Sequence, residues 1–119
     1  MVQIKRAYEA SSKADGCRVL IDRLWPRGRS KAQLALDDWM KELAPSNELR
    51  KKFSHDPKKW KFFVSNYRKE LRNPDAQKQI QFLADVAAKK KLTLVYGARD
   101  EEHNNAVVLK NLIEKELGS

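Results

Sequence analysis

The order of apolar and polar positions divides the chain into short alternating or doubly apolar runs and longer stretches of helical period. Val2-Gln3-Ile4-Lys5-Arg6 alternates, as a half-buried or edge strand does. Residues 9–16, EASSKADG, are turn-rich and close on Gly16. Cys17 to Asp22 then reads as a short strand. Its Val19, Leu20 and Ile21 are apolar on both faces, as in a central strand covered by helices. Leu92 to Tyr96 is a second strand of this kind, with Gly97 and Ala98 at its exit.

Between these strands the period changes to that of helices. Leu36, Trp39, Met40 and Leu43 recur at helical spacing and predict a helix that Ala44-Pro45 stops. Ser46 is placed to cap a short helix through Leu49 and Phe53. Asp56-Pro57 joins a capping residue to a proline at the first helical position, a strong start signal. The helix it opens presents Trp60, Phe63, Val64, Tyr67 and Leu71 on one face. Asn73-Pro74 repeats the device for a helix using Ala76, Ile80, Leu83, Ala84 and Ala87. A final helix is predicted to start near Asp100 and to pack Val107 or Val108, Leu109, Leu112, Ile113 and Leu117. This order predicts one compact layered α/β domain over residues 1–119, with a small, mainly parallel sheet flanked by about five helices. The first connection is short for a crossover helix, so the first two strands are also compatible with an antiparallel pair.

Composition narrows the class. With 119 residues, 41% hydrophobic and 34% charged, the chain fits a soluble globular domain with a single core. No apolar run approaches the roughly 20 residues of a membrane span, and the first ten residues lack the apolar stretch of a secretory signal. The lone Cys17 excludes an internal disulfide framework and a cysteine-rich zinc site, and reads as a small buried hydrophobe. A cytoplasmic setting and no membrane partner are the resulting expectations.

The net charge of +9 is uneven: residues 50–72 carry nine basic side chains against Asp56 and Glu70, which is +7 of the total. Lys51, Lys52, Lys58, Lys59, Lys61 and Arg68 within it are the candidates for contact with nucleic acid, since a concentrated basic face attracts polyanions. A lysine-rich helix face also serves solubility alone, and aromatic residues do not interleave the charged side.

The distinctive chemistry lies where the two apolar strands end. One exit reads Asp22-Arg23-Leu24-Trp25-Pro26-Arg27-Gly28; the other runs from Tyr96 through Arg99 and Asp100 to His103-Asn104-Asn105. In open α/β sheets ligands bind beyond the carboxyl ends of the strands, so parallel neighbours would bring both clusters to one crevice. Arg23, Arg27 and Arg99 are candidate clamps for a phosphate or carboxylate, with Trp25, Tyr96 and Asn104 as further ligand-binding candidates. His103, read as lying in the first turn of the last helix, and Asp22 are candidates for acid–base or orienting roles. The same residues also admit plainer roles: a structural ion pair at Asp22, an exposed His103, a hydrophobic plug at Trp25-Pro26. His55 reads as part of a helix entry. The chain has no Walker loop, G-x-G-x-x-G, nucleophile elbow or H-E-x-x-H, and its two histidines lie far apart, so neither a cofactor nor a metal is expected.

Arg18-Val19-Leu20-Ile21-Asp22-Arg23-Leu24-Trp25-Pro26-Arg27-Gly28, Leu43-Ala44-Pro45-Ser46 with Glu48-Leu49-Arg50, His55-Asp56-Pro57, and Tyr96-Gly97-Ala98-Arg99-Asp100 through His103-Asn104 resemble the YeaO-like family of small bacterial proteins. The resemblance covers nearly the whole chain. It implies a compact α/β domain in the bacterial cytoplasm and supplies no activity. More distant members carry Cys-x-Glu and then Cys-His-Arg after the last strand. His103 falls at that histidine, the cysteines are absent and Asn104 stands where the arginine would be, so thiol chemistry does not transfer.

The leading expectation is a protein that binds a small anionic or nucleotide-like ligand at the strand mouths, with hydrolysis or group transfer as the chemistry to test. The alternative is a nucleic-acid-binding module using the face of residues 50–72.

Overall fold

The structure, a computed structural model, describes residues 1–118. Its sheet has four strands, β1 (Val2–Arg6), β2 (Cys17–Leu20), β3 (Asp38–Trp39) and β4 (Leu92–Tyr96), in the spatial order β1-β4-β2-β3. Every pairing is parallel, with Ile4 beside Leu94, Val19 beside Leu94 and Leu20 beside Trp39. The antiparallel option for β1 and β2 is thereby excluded, because both strands flank β4 instead of each other. The link between them forms a turn at Lys13–Asp15 and no crossover helix. All five residues of β4 are buried, as its central position requires.

Five helices complete the domain: α1 (Lys31–Leu34), α2 (Asn47–Phe53), α3 (Trp60–Glu70), α4 (Pro74–Lys89) and α5 (Asn105–Leu117). Local capping explains where most begin. Ser46, Asn73 and Asn104 accept backbone N–H bonds from Leu49, Ala76 and Val107, and Asp56 caps a tight turn over Pro57–Lys59 that leads into α3. The main core packs Val2, Val19, Ile21, Leu92, Leu94 and Tyr96 against α2 to α5. A second cluster of Ala7, Leu20, Leu34 and Val95, covered by Trp25, Leu36 and Trp39, fills the opposite face of the sheet. None of the described helices is long and apolar enough to cross a membrane.

The helix predicted over Leu36 to Leu43 is not formed. Ala35 takes a left-handed conformation (φ 45°) that ends α1. The chain then pairs with the free edge of β2: Asp37 N–H donates to Arg18 O at 2.8 Å and Met40 N–H to Leu20 O at 2.9 Å. Trp39 and Met40 consequently point to opposite faces and enter different clusters, the period of a strand. The last helix also starts later than the sequence predicts. Asp100 accepts the N–H groups of Glu102 and His103 in a separate turn, and α5 begins only after Asn104.

The back of the sheet holds a buried ionic cluster. Asp15 accepts bonds from Arg18 Nη1 at 2.7 Å, Lys5 Nζ at 3.1 Å and Ser12 N–H at 2.9 Å, and both Asp15 and Arg18 are 3% exposed. Thr93, fully buried on β4, donates to Asp15 O.

Candidate ligand-binding site

Because β2 and β4 are parallel neighbours, their exits lie side by side, and Asp22 meets Gly97 two residues beyond the pair Leu20 and Val95. The Gly97 N–H donates to Asp22 Oδ2 at 2.9 Å. Asn105, at the start of α5, donates from Nδ2 to Asp22 Oδ1 at 3.0 Å and to Ile21 O at 3.1 Å. Trp39 Nε1 holds the Asp22 carbonyl from the other side at 2.7 Å. Burial pushes the Asp22 carboxyl above its ordinary value. Bonds from Asn105 and Gly97 and the charges of Arg50 and His55 oppose that rise.

A cleft of about 400 Å³ opens over this carboxylate. One wall is Gly97, Ala98, His103, Asn104 and Asn105. The facing wall comes from α2 and its exit: Arg50, Lys51, Phe53, Ser54 and His55, backed by Phe63 of α3. Glu70 of α3 fastens α2 in place, accepting from Ser46 N–H at 2.8 Å and from Ser46 Oγ–H at 2.6 Å. The exit of α2 is strained, with Ser54 (φ 48°) and His55 (φ 55°) consecutive non-glycine residues in the left-handed region.

Arg23 reaches across the floor with little to bond. Its Nη2 lies 3.4 Å from Ala44 O and 3.5 Å from Pro45 O, and its buried Nε has no partner. His103 is held by Asp100, with Nδ1 2.9 Å from Oδ2, and its ring meets Trp60 edge-on at 5.2 Å. Because α5 starts at Asn105, the helix-dipole argument for His103 does not apply; a side-chain carboxylate orients it instead. Asn104 spends its side chain on capping, accepting from Val107 N–H and donating to Asp100 O.

Of the candidates read from the sequence, Asp22, Arg23, His103 and Asn104 therefore share the cleft, and four others do not line it. Trp25 lies on the opposite face of the sheet, 5.4 Å from Trp39 and donating to Arg29 O at 2.6 Å. Arg27 is exposed, and its carbonyl accepts from Tyr8 Oη. Tyr96 belongs to the core, and burial pushes its phenol up to about 12. Arg99 is exposed on the loop after β4. The partly buried Arg29 donates from Nε to Ala7 O at 3.0 Å.

The sequence reading missed Arg50, Phe53, His55 and Asn105 as site residues, and set Lys51 only on the basic face. The exit of α2 folds over the strand mouths, so the basic segment divides in two. Arg50 and Lys51 enter the cleft. Lys61, Arg68, Lys69 and Arg72 line a separate groove of about 600 Å³ along α3, with Trp60, Val64 and Ser65. Lys52 pairs with Glu48, Lys59 donates to Lys52 O, and Lys58 is exposed at the turn before α3. Among the described residues no three His, Cys, Asp or Glu side chains come together as metal ligands would.

A family model, DUF488-N3i, described as the inactive DUF488-N3 subclade, matches residues 1–119. The chain belongs to the DUF488-N3i family. Its relatives include the uncharacterized protein YeaO of Escherichia coli K12, 44% identical over 108 residues that cover 91% of this chain and 92% of the relative. The uncharacterized protein Rv3073c of Mycobacterium tuberculosis H37Rv is 35% identical over 112 residues, 94% of this chain and 92% of its own. The YeaO-like resemblance is thus established at the level of the family, and neither of these relatives, both named as uncharacterized, brings a named reaction. No solved structure matches the chain significantly.

Proposed function

We propose that the cleft at the mouths of β2 and β4 binds a small anionic ligand. The observation that carries this reading is the charge on its walls. Arg23, Arg50 and Lys51 line it against the one carboxylate of Asp22, and none of the three has an ion-pair partner among the described residues. Unpaired guanidinium and ammonium groups beside a concave, partly apolar wall suit a phosphate or carboxylate. His55 and His103 also line it and add further hydrogen-bonding nitrogens. The family description carries the word inactive, and both oxygens of Asp22 already accept protein N–H bonds. Binding without turnover is therefore favoured over hydrolysis or group transfer.

Calorimetric titration with inorganic phosphate and pyrophosphate is expected to show saturable binding that weakens as salt is raised. Arg50→Ala combined with Lys51→Ala is expected to abolish it. Both side chains are exposed, so unfolding free energy should stay within about 0.5 kcal/mol of the parent. Absence of saturable binding in the parent protein would remove the proposal.

A second reading rests on the α3 groove, where four cations gather around the partly buried Trp60. It is a surface for single-stranded nucleic acid, whose affinity would fall steeply with salt and be lost on neutralising Lys61, Arg68 and Lys69 together. Binding unaffected by that triple change would exclude this face. The proposed setting for either activity is the cytoplasm, where the half-buried Cys17, its thiol pushed up by burial and by Asp37, stays reduced.

A further inference from the structure

Asp22 is the odd member of a cationic cleft. A site for a plain anion gains nothing from a carboxylate on its floor, which repels the ligand it should hold. The bonds already made to Asp22 define what it can still do. Oδ1 accepts from Asn105 and Oδ2 from Gly97, one bond to each oxygen. A carboxylate oxygen offers two acceptor positions, so one remains on each. Among the described residues nothing else bonds to the side chain, which lines the cleft, while Arg50 and His55 act on it as charges. The two anchoring bonds fix the carboxyl plane before any ligand arrives, so its remaining acceptors are preorganised. Two adjacent acceptors match two hydroxyls on neighbouring carbons; a lone hydroxyl or an amine would leave one partly unused. Acidic residues in the dinucleotide-binding sheets bond ribose hydroxyls in the same way. Beside Asp22, the buried rings of Phe53 and Phe63 give the cleft an apolar wall.

We infer that Asp22 is the specificity-determining residue of the cleft, and that the ligand is a phosphate ester carrying a vicinal diol, the chemistry shared by ribose phosphates and ribonucleotides. The diol sits on Asp22 and the phosphate lies toward Arg23, Arg50 and Lys51. The inference rests on the anion-binding reading above and adds the second recognition element to it.

The test is calorimetric titration of the parent protein and of Asp22→Asn with inorganic phosphate, ribose 5-phosphate and 2-deoxyribose 5-phosphate. The parent protein is expected to bind ribose 5-phosphate at least about tenfold more tightly than either other ligand, the yield of one or two charge-assisted hydrogen bonds. Asp22→Asn is expected to move the ligands in opposite directions. Ribose 5-phosphate weakens, because an amide cannot accept on both atoms, and inorganic phosphate tightens, because a repelling charge is gone. A merely structural Asp22 would weaken both alike, and that result overturns the inference. So does a parent protein that binds all three equally, although anion binding itself would then stand; binding of none removes both. If Asp22→Asn does not fold, Gly97→Ala serves instead. Its added Cβ would lie 3.1 Å from Asp22 Oδ2 and displace the carboxylate without removing its charge. It should reduce the preference for ribose 5-phosphate over the deoxy sugar by several-fold, and an unchanged preference overturns the inference.

Discussion

The backbone N–H of Gly97 donates to Asp22 Oδ2 at 2.9 Å, so the exits of β4 and β2 are joined by a side chain where the ladder has ended. The last ladder-like bond, Ile21 N–H to Val95 O, lies one residue before Asp22. Beyond it the two strands part, one toward Trp25 and the other toward His103, and the cleft occupies the gap. Asn105 closes the same junction from α5.

Asn105→Ala removes one donor from two acceptors, Ile21 O and Asp22 Oδ1. With Asn105 9% exposed, the expected cost is about 1–3 kcal/mol, read as a lower urea midpoint at unchanged slope. Asn105→Asp is expected to cost more near neutral pH, although an acid in a first turn suits the helix dipole, because it sets a second carboxylate against Asp22. Lowering the pH to about 4 should recover more of the loss in the Asp variant, which relieves a carboxylate pair, than in the Ala variant, which lacks only the bond to the charged Asp22. An Asp deficit that does not change with pH would mean that the two carboxyl groups do not meet.

Which of these relationships were legible in the sequence depended on their range. The starts at Asp56-Pro57 and Asn73-Pro74 are local, one side chain bonding an N–H two or three residues on, and they appear where the spacing predicts them. Leu36 to Leu43 misled because Leu36 and Trp39 serve one cluster while Met40 and Leu43 serve the other, so an apparent helical stripe belongs to two faces. The free edge of β2 decides the matter, and no local pattern announces it. Asp22 and His103 could be placed together from the rule that parallel strand mouths share a crevice. Arg50 and His55 could not, since only tertiary packing brings the exit of α2 over those mouths. Arg27 and Arg99 carry suitable chemistry on loops that lead away from it.

The Asp15–Arg18 pair supports the fold from the side of the sheet opposite α2 to α5. Asp15→Ala would leave the Arg18 guanidinium, 3% exposed, without its carboxylate, and the expected loss is about 3–5 kcal/mol. Arg18→Met in the same background should restore a good part of it, since the aliphatic side chain needs no counter-charge. Urea unfolding of the single and double variants gives the coupling. A double variant no more stable than Asp15→Ala would show that the arginine is not what suffers.

The carboxylates of Asp15 and Asp22 should pull stability in opposite directions with pH. Burial raises the Asp15 pKa, but bonds from Lys5, Ser12 and Arg18 outweigh it, and the net value lies below the ordinary 3.8. Asp15 thus stabilises the fold fully above its unfolded pKa, and that contribution is lost as pH falls toward the folded value. For Asp22 burial dominates and the pKa is raised, so its contribution is full below 3.8 and is lost as pH rises through the folded value. Between about pH 3 and 6, the stability of the parent relative to Asp15→Asn should therefore rise with pH, and relative to Asp22→Asn it should fall. Two slopes of the same sign would contradict the assignment of one of them.

Gly16 and Gly28 both have positive φ, 67° and 78°, yet their replacement by alanine should differ sharply. At Gly28 a Cβ meets nothing within 4 Å, so the cost is the left-handed conformation alone, about 1 kcal/mol, and asparagine should recover most of it. At Gly16 a Cβ would lie 2.2 Å from Lys91 O, the acceptor that Cys17 N–H uses at 2.9 Å to begin the pairing of β2 with β4. Backbone cannot yield there without shifting the register that sets Leu20 beside Val95 and carries Asp22 to Gly97. Gly16→Ala is therefore expected to cost about 3 kcal/mol or more and to weaken phosphate binding at the far end of the strand, whereas Gly28→Ala leaves binding intact. Urea midpoints and phosphate titrations on the two variants check both halves. Equal and small losses would mean that the approach of Gly16 to Lys91 does not set the strand register.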